Sequence, residues 1–147
     1  MKILVDADAC PVKDIIIDEA KKMGVKVIMF VDTSHILKSG YAEVKTVDKA
    51  SDSVDIALAN CLERGDIAVT QDYGVAAMAL GKGGFAINQN GLIYTNENID
   101  MLLFDRHIGK KLRRGGFKTG NVRKRNHSDD ENFRAEFIRL LQNTEKQ

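Results

Sequence analysis

The chain has 147 residues, 44% of them hydrophobic, the size and composition of one domain with a sizeable core. No apolar run approaches the roughly 18–20 residues of a membrane span, and Met1-Lys2-Ile3-Leu4-Val5-Asp6 turns acidic too soon for a signal peptide. Cys10 and Cys61 make neither a disulfide framework nor a zinc cluster, so a cytoplasmic protein with reduced thiols and no membrane partner is expected.

The first strand is expected at residues 2–6. Pro11 suits the first turn of a helix, in which Ile15, Ile16, Ala20 and Met23 recur at helical spacing until Gly24. Val25 to Val31 is apolar except for Lys26 and reads as a buried parallel strand; Asp32-Thr33-Ser34 is a turn or cap. Residues 43–47 alternate as a third strand. Asp52 can cap a helix whose buried stripe is Val54, Ala57, Leu58, Cys61 and Leu62, with Gly65 as its stop.

Ile67 to Thr70 forms the fourth strand, and Asp72 starts a helix with Val75, Ala76, Ala79 and Leu80 inside. Asn90-Gly91 is a hairpin signal between residues 85–88 and 92–95. Residues 98–112 are expected to be helical, with Ile99, Leu102, Leu103 and Ile108 as candidates for burial. Residues 114–127, with Gly115, Gly116 and Gly120, lack periodicity and read as a loop. Ser128 and Glu131 form a capping box for a last helix, about 129–142, with Phe133, Phe137, Leu140 and Leu141 as its apolar face. Strands alternating with helices indicate a single α/β domain over 1–147, three layers with a mostly parallel sheet.

Acidic residues sit where such a fold binds ligands, outside the carboxyl ends of its strands. Asp6 and Asp8 end the first strand, Asp72 follows the fourth, and Asp52 and Asp55 open a helix. Each except Asp6 has a structural alternative as a helix cap or as an acid favoured by the helix dipole. Clustered carboxylates repel unless a cation joins them, and hard ions such as Mg²⁺ or Mn²⁺ take oxygen ligands. All five are therefore candidate metal ligands, with Asp6 and Asp72 the leading candidates for catalysis.

The net charge of +1 conceals a separation. Residues 1–105 hold 10 Lys/Arg against 16 Asp/Glu, whereas residues 106–128 hold 9 Lys/Arg and no acid. An acidic body with a basic, loop-rich segment at about 106–127 points to a nucleic-acid partner. Arg106, Lys110, Arg113, Arg114 and Lys118 are the candidate phosphate contacts, arginine by bidentate hydrogen bonds. A catalytic Cys10 is disfavoured because no fixed-spacing arginine follows it; Cys61 reads as core, and His35, His107 and His127 as surface. Tyr41, Tyr73 and Tyr94 show no stacking pattern.

The string Val5-Asp6-Ala7-Asp8-Ala9-Cys10-Pro11-Val12-Lys13 resembles the opening of the YaiI/YqxD family of bacterial proteins. The resemblance continues through Asp52-Ser53-Val54-Asp55, Gly65-Asp66, Val69-Thr70-Gln71-Asp72, Asn88 and Gly91-Leu92-Ile93-Tyr94-Thr95. It then runs to Arg106, Thr119-Gly120, Asp130 and Phe133, nearly the whole chain. That family looks like a branch of the PIN-domain-like nucleases. The resemblance implies a PIN-like fold and Mg²⁺- or Mn²⁺-dependent cleavage of RNA or DNA, with Asp6, Asp55 and Asp72 at matching positions and Thr70 in support. Where the family's loop usually reads Thr-Gly-Gly-Pro, this chain has Thr119-Gly120-Asn121-Val122. Two rivals stand beside the nuclease: a non-catalytic nucleic-acid or protein-binding module, and a haloacid-dehalogenase-like phosphatase. In the phosphatase, Asp6 would be the nucleophile and Asp8 the general acid.

Overall fold

The computed structural model describes residues 1–33, 37–49, 53–116 and 123–146. The chain runs β1 (Lys2–Asp6), α1 (Lys13–Met23), β2 (Lys26–Asp32), β3 (Glu43–Val47), α2 (Ser53–Cys61), β4 (Ile67–Val69), α3 (Tyr73–Gly81), β5 (Phe85–Ile87), β6 (Ile93–Tyr94), α4 (Asn96–Arg114) and α5 (His127–Glu145). The six strands form one sheet in the order β3-β2-β1-β4-β5-β6. All neighbours are parallel except β5 and β6, which form the hairpin. The expected α/β architecture is present.

Side-chain alternation along the strands divides the core in two. Ile3, Val5, Val27, Met29, Val31, Ile67 and Val69 pack against Ile16 and Ala20 of α1 and Phe133, Phe137 and Leu141 of α5. Leu4, Ile28, Phe30, Ala68 and Ala86 face the other way, onto Leu58 of α2, Val75, Ala76 and Ala79 of α3, and Ile99 of α4. The result is three layers. The chain leaves β1 toward β2 and leaves β4 toward β5, in opposite directions across the sheet, so the seam between β1 and β4 is a topological switch point.

Several boundaries differ from the sequence reading. Helix α1 starts at Lys13, not at Pro11, because the chain first makes a tight turn from Ala7 to Cys10. In that turn Ala9 takes a left-handed backbone (φ 57) and Cys10 N–H donates to Ala7 O. Helix α2 ends at Cys61, before Gly65. Glu63 N–H is drawn off to the Asp66 carboxylate, and Gly65, at φ 85, turns the chain into β4. Helix α4 is longer than expected: it starts at Asn96, where Thr95 and Asn98 make a capping box, and runs to Arg114, so it carries residues 106–114 of the basic segment. Only Ile99 is buried in α4. Leu103 and Ile108, expected inside, are exposed. The cap of α5 is Asn126 with Asp129, not Ser128 with Glu131, and Ser128 lies inside the helix. The apolar face expected for α5 is buried.

Candidate functional site

The seam between β1 and β4 builds the site from three short sequences. Asp6 is the last residue of β1, and alternation puts it on the side of Leu4, toward α2, α3 and α4. Beyond β4, the buried Thr70 donates from Oγ1 to Asp6 Oδ2 at 3.4 Å and accepts from the Asp72 N–H at 3.0 Å. Asp72 is the N-cap of α3, its Oδ1 accepting from the Val75 N–H at 3.0 Å. It is both a helix cap and a wall of the site, since its second carboxylate oxygen is not needed for the cap.

Two cavities meet at Asp6. The larger, about 600 Å³, is lined by Asp6, Gln71, Asp72, Tyr73, Asp105, Arg106, Gly109 and Arg113. The smaller, about 50 Å³, is lined by residues that include Asp6, Asp8, Cys10, Thr70 and Gln89. Asp8 reaches the end of β2, its Oδ2 accepting from the Asp32 N–H at 3.2 Å. Lys13 holds the intervening turn by donating from Nζ to the carbonyls of Ala7 and Cys10. The left-handed Ala9 in this turn is the kind of backbone cost that proteins concentrate at functional sites.

Burial, with the charges of Asp8 and Asp72 adding to it, pushes the Asp6 carboxyl up to about 6 against the opposing pull of the Thr70 hydroxyl. A carboxylate strained in this way is one that a cation would stabilise. Burial also pushes the Cys10 thiol up, so it is held as a thiol rather than a nucleophilic thiolate. Cys61, expected in the core, is half-buried at the rim of α2, its Sγ accepting from Lys45 Nζ at 3.7 Å.

Asp6, Asp8 and Asp72 are thus brought together. Asp55 lies half-buried in the first turn of α2 and lines neither cavity. Asp52 and Lys118, like His35 and the segment Thr119-Gly120-Asn121-Val122, lie outside the described residues. Arg106 and Arg113 face the acidic groove from α4; Lys110 and Arg106 share a separate surface depression with Leu103 and His107; Arg114 is exposed and lines none of these.

Sequence reading missed Asp105 and Gly109, which share the groove-facing side of α4 with Arg106 and Arg113 at helical spacing. It also missed the supporting tyrosines. Tyr94 is buried, donates its hydroxyl to Thr70 O at 3.2 Å, and is pushed up to about 12 chiefly by burial. Tyr73 packs edge-on against it with centroids 6.0 Å apart, a pairing that no sequence pattern announced.

Among the described residues, no group of three or more His, Cys, Asp or Glu side chains is placed to hold a metal ion. The described residues alone therefore do not cage an ion. The arrangement fits a hard ion of the Mg²⁺ type, which keeps several waters and takes one or two carboxylates together with substrate phosphates. Asp6 and Asp72 are the residues that would hold it.

An open, mostly parallel α/β sheet with carboxylates at its switch point and arginines across the groove defines an α/β protein with a polar crevice of mixed charge. More narrowly, the chain belongs to the YaiI/YqxD family: the family model, described as "Uncharacterized BCR, YaiI/YqxD family", matches residues 4–143. A UPF0178 protein of Ruminiclostridium cellulolyticum is 62% identical over 141 residues, covering 96% of this chain and 92% of that relative. Similar proteins from Clostridium acetobutylicum and Clostridium tetani are 53% and 49% identical, covering 96% and 99% of this chain and 97% and 100% of theirs. Among solved structures, Rae1 (YacP) from Bacillus subtilis is similar over 79% of this chain and 84% of that one, with 20% identity and a TM-score of 0.46. That likeness is too distant to transfer an activity. No helix among the described residues is long and apolar enough to cross a membrane.

Proposed function

We propose that this chain is a PIN-like, metal-dependent nuclease acting on the phosphodiester backbone of RNA or DNA. One observation carries the reading: Asp6 and Asp72 line the same groove as Arg106 and Arg113. Carboxylates that would hold Mg²⁺ or Mn²⁺ and guanidiniums that would hold backbone phosphates then lie on opposite walls of one open crevice. Bound there, the ion would supply hydroxide from water and stabilise charge on the phosphate.

The residues of the chain do the rest. Thr70 orients Asp6 and ties the Asp72 backbone to it. Asp8 raises the local negative charge that favours a cation. Arg106 and Arg113 position phosphates by charge-assisted hydrogen bonds.

One observation favours a second reading, a non-catalytic nucleic-acid-binding module: the absence, among the described residues, of a preformed three-ligand cluster. The phosphatase reading gains no comparable support, because Asp8 accepts from the Asp32 backbone and does not line the groove of Asp72.

The test is incubation of end-labelled single- and double-stranded RNA and DNA with Mg²⁺, Mn²⁺ or EDTA, with Asp72→Asn in parallel. Asparagine caps helices as well as aspartate, so α3 survives the substitution. Metal-dependent cleavage lost in Asp72→Asn is the expected result. Salt-sensitive binding without cleavage by the wild type moves the assignment to the binding module.

A further inference from the structure

Helix α4 has two faces with different surroundings. Ile99 and Leu102 pack against α3 and its neighbours, and Arg106, Gly109 and Arg113 continue that side along the groove. The opposite side carries Met101, Phe104, Ile108 and Leu112, spaced three, four and four residues apart, which places them in one row. All four are exposed: Met101 by 67%, Phe104 by 62%, Ile108 by 38% and Leu112 by 41%. Single exposed apolar side chains are ordinary, but a contiguous row of four long ones marks an interaction surface.

The charges beside the row indicate what covers it. The first half of α4 carries Glu97, Asp100 and Asp105 and no base; the second half carries Arg106, Lys110, Lys111, Arg113 and Arg114 and no acid. The helix dipole favours such charges in the first and last turns, but it gives no reason for the apolar row between them.

We propose that this row packs antiparallel against the same row of a second copy of the chain, forming a two-fold dimer through α4. An interface of this kind is self-complementary, each position meeting its counterpart from the other copy. In the register that centres the row on itself, Phe104 comes opposite Ile108 of the second copy, and the acidic stretch from Glu97 to Asp100 lies along the basic stretch that holds Lys111, Arg113 and Arg114. Acidic half meets basic half at both ends. A parallel pairing would set acid against acid and base against base, which is destabilising. None of the four residues of the row lines the groove of Asp6, Asp72, Arg106 and Arg113, so this pairing stands whether or not the chain is a nuclease.

The test is sedimentation velocity on the full chain over a wide concentration series, with circular dichroism as the folding control. The wild type is expected to dimerise with concentration, and Phe104→Glu to remain monomeric with unchanged helicity. Two charge variants test the orientation: Glu97→Lys with Asp100→Lys, and Lys111→Glu with Arg114→Glu. Each alone is expected to be monomeric and their equimolar mixture to form a heterodimer. These four positions are exposed, so the charge variants decide the matter even if Phe104→Glu misfolds. A wild type that stays monomeric throughout, a dimer that survives Phe104→Glu, or charge variants that fail to complement each other would overturn the proposal.

Discussion

Thr70 Oγ1 lies 3.4 Å from Asp6 Oδ2, a long hydrogen bond that joins the residue after β4 to the last residue of β1. The same hydroxyl accepts from the Asp72 N–H, so one buried side chain sets the relation between the two carboxylates of the groove. Thr70→Val keeps the shape and removes the hydroxyl. The Asp72 N–H then loses its acceptor, and the expected cost is about 1–2 kcal/mol in chemical denaturation. The hydroxyl also lowers the Asp6 carboxyl, so its titration should move up in the variant, as read by NMR of the side-chain carboxyl carbon. An unmoved titration would show that the contact is too long to matter.

Asp6 itself should cost the metal-free protein stability at neutral pH. Its carboxyl titrates at about 6 in the folded chain against 3.8 for a free aspartate, because burial and two neighbouring carboxylates disfavour the charge. Below the unfolded value both states are protonated and nothing is lost. Between the two values the folded state keeps a proton that the unfolded state has released, so stability falls as pH rises; above about 6 the loss is complete. Asp6→Asn removes the charge. It should be more stable than the wild type at pH 7 by on the order of 1–2 kcal/mol, after allowance for partial exposure, with the gain vanishing toward pH 4. Urea denaturation across that range, with chelator present, measures it.

Metal addition should reverse that order. A ligand that binds only the folded state stabilises it by mass action, by about 2.7 kcal/mol at a hundred times its dissociation constant. Mg²⁺ or Mn²⁺ should therefore raise the melting temperature of the wild type and leave Asp6→Asn unchanged. An equal response in both proteins would place the ion elsewhere.

Arg106 and Arg113 are expected to act on phosphates rather than bases. Replacing either by alanine should weaken binding of unrelated oligonucleotides to a similar degree, and should lower the slope of log affinity against log salt by about 1. Arg114→Ala, on exposed α4 outside the groove, should change both much less. Fluorescence anisotropy at several salt concentrations separates the three.

Gly91 turns β5 into β6 at φ 90, and a Cβ there would stand 2.9 Å from the Asn132 carbonyl of α5. Gly91→Ala combines a left-handed backbone with a close approach that only backbone movement relieves, so a loss of about 1–3 kcal/mol is expected. Gln89, two residues away, lines the smaller cavity, and Arg125 donates to its carbonyl. Weakened nucleic-acid binding should therefore accompany the lost stability.

The strands, the helices and the placement of Asp6, Asp8 and Asp72 after strand ends were legible in the sequence. Apolar runs of strand length between glycines and capping residues decide local structure. A chain with this alternation closes a parallel sheet whose strand ends, Asp6 and Thr70-Gln71-Asp72, meet in the middle. The acid–base division around residue 105 was equally plain. What the sequence could not decide is which charged side chains share a space. Asp55 matches the family pattern yet lines neither cavity, whereas Asp105 and Gly109 carry no motif and line the groove. Periodicity likewise identified an apolar side of α4 but not what it faces. Leu103 and Ile108 read as core on spacing alone, yet both are exposed. Local spacing records the faces of an element; only the packing of elements separated by tens of residues determines which faces meet, and that information is spread over the whole chain.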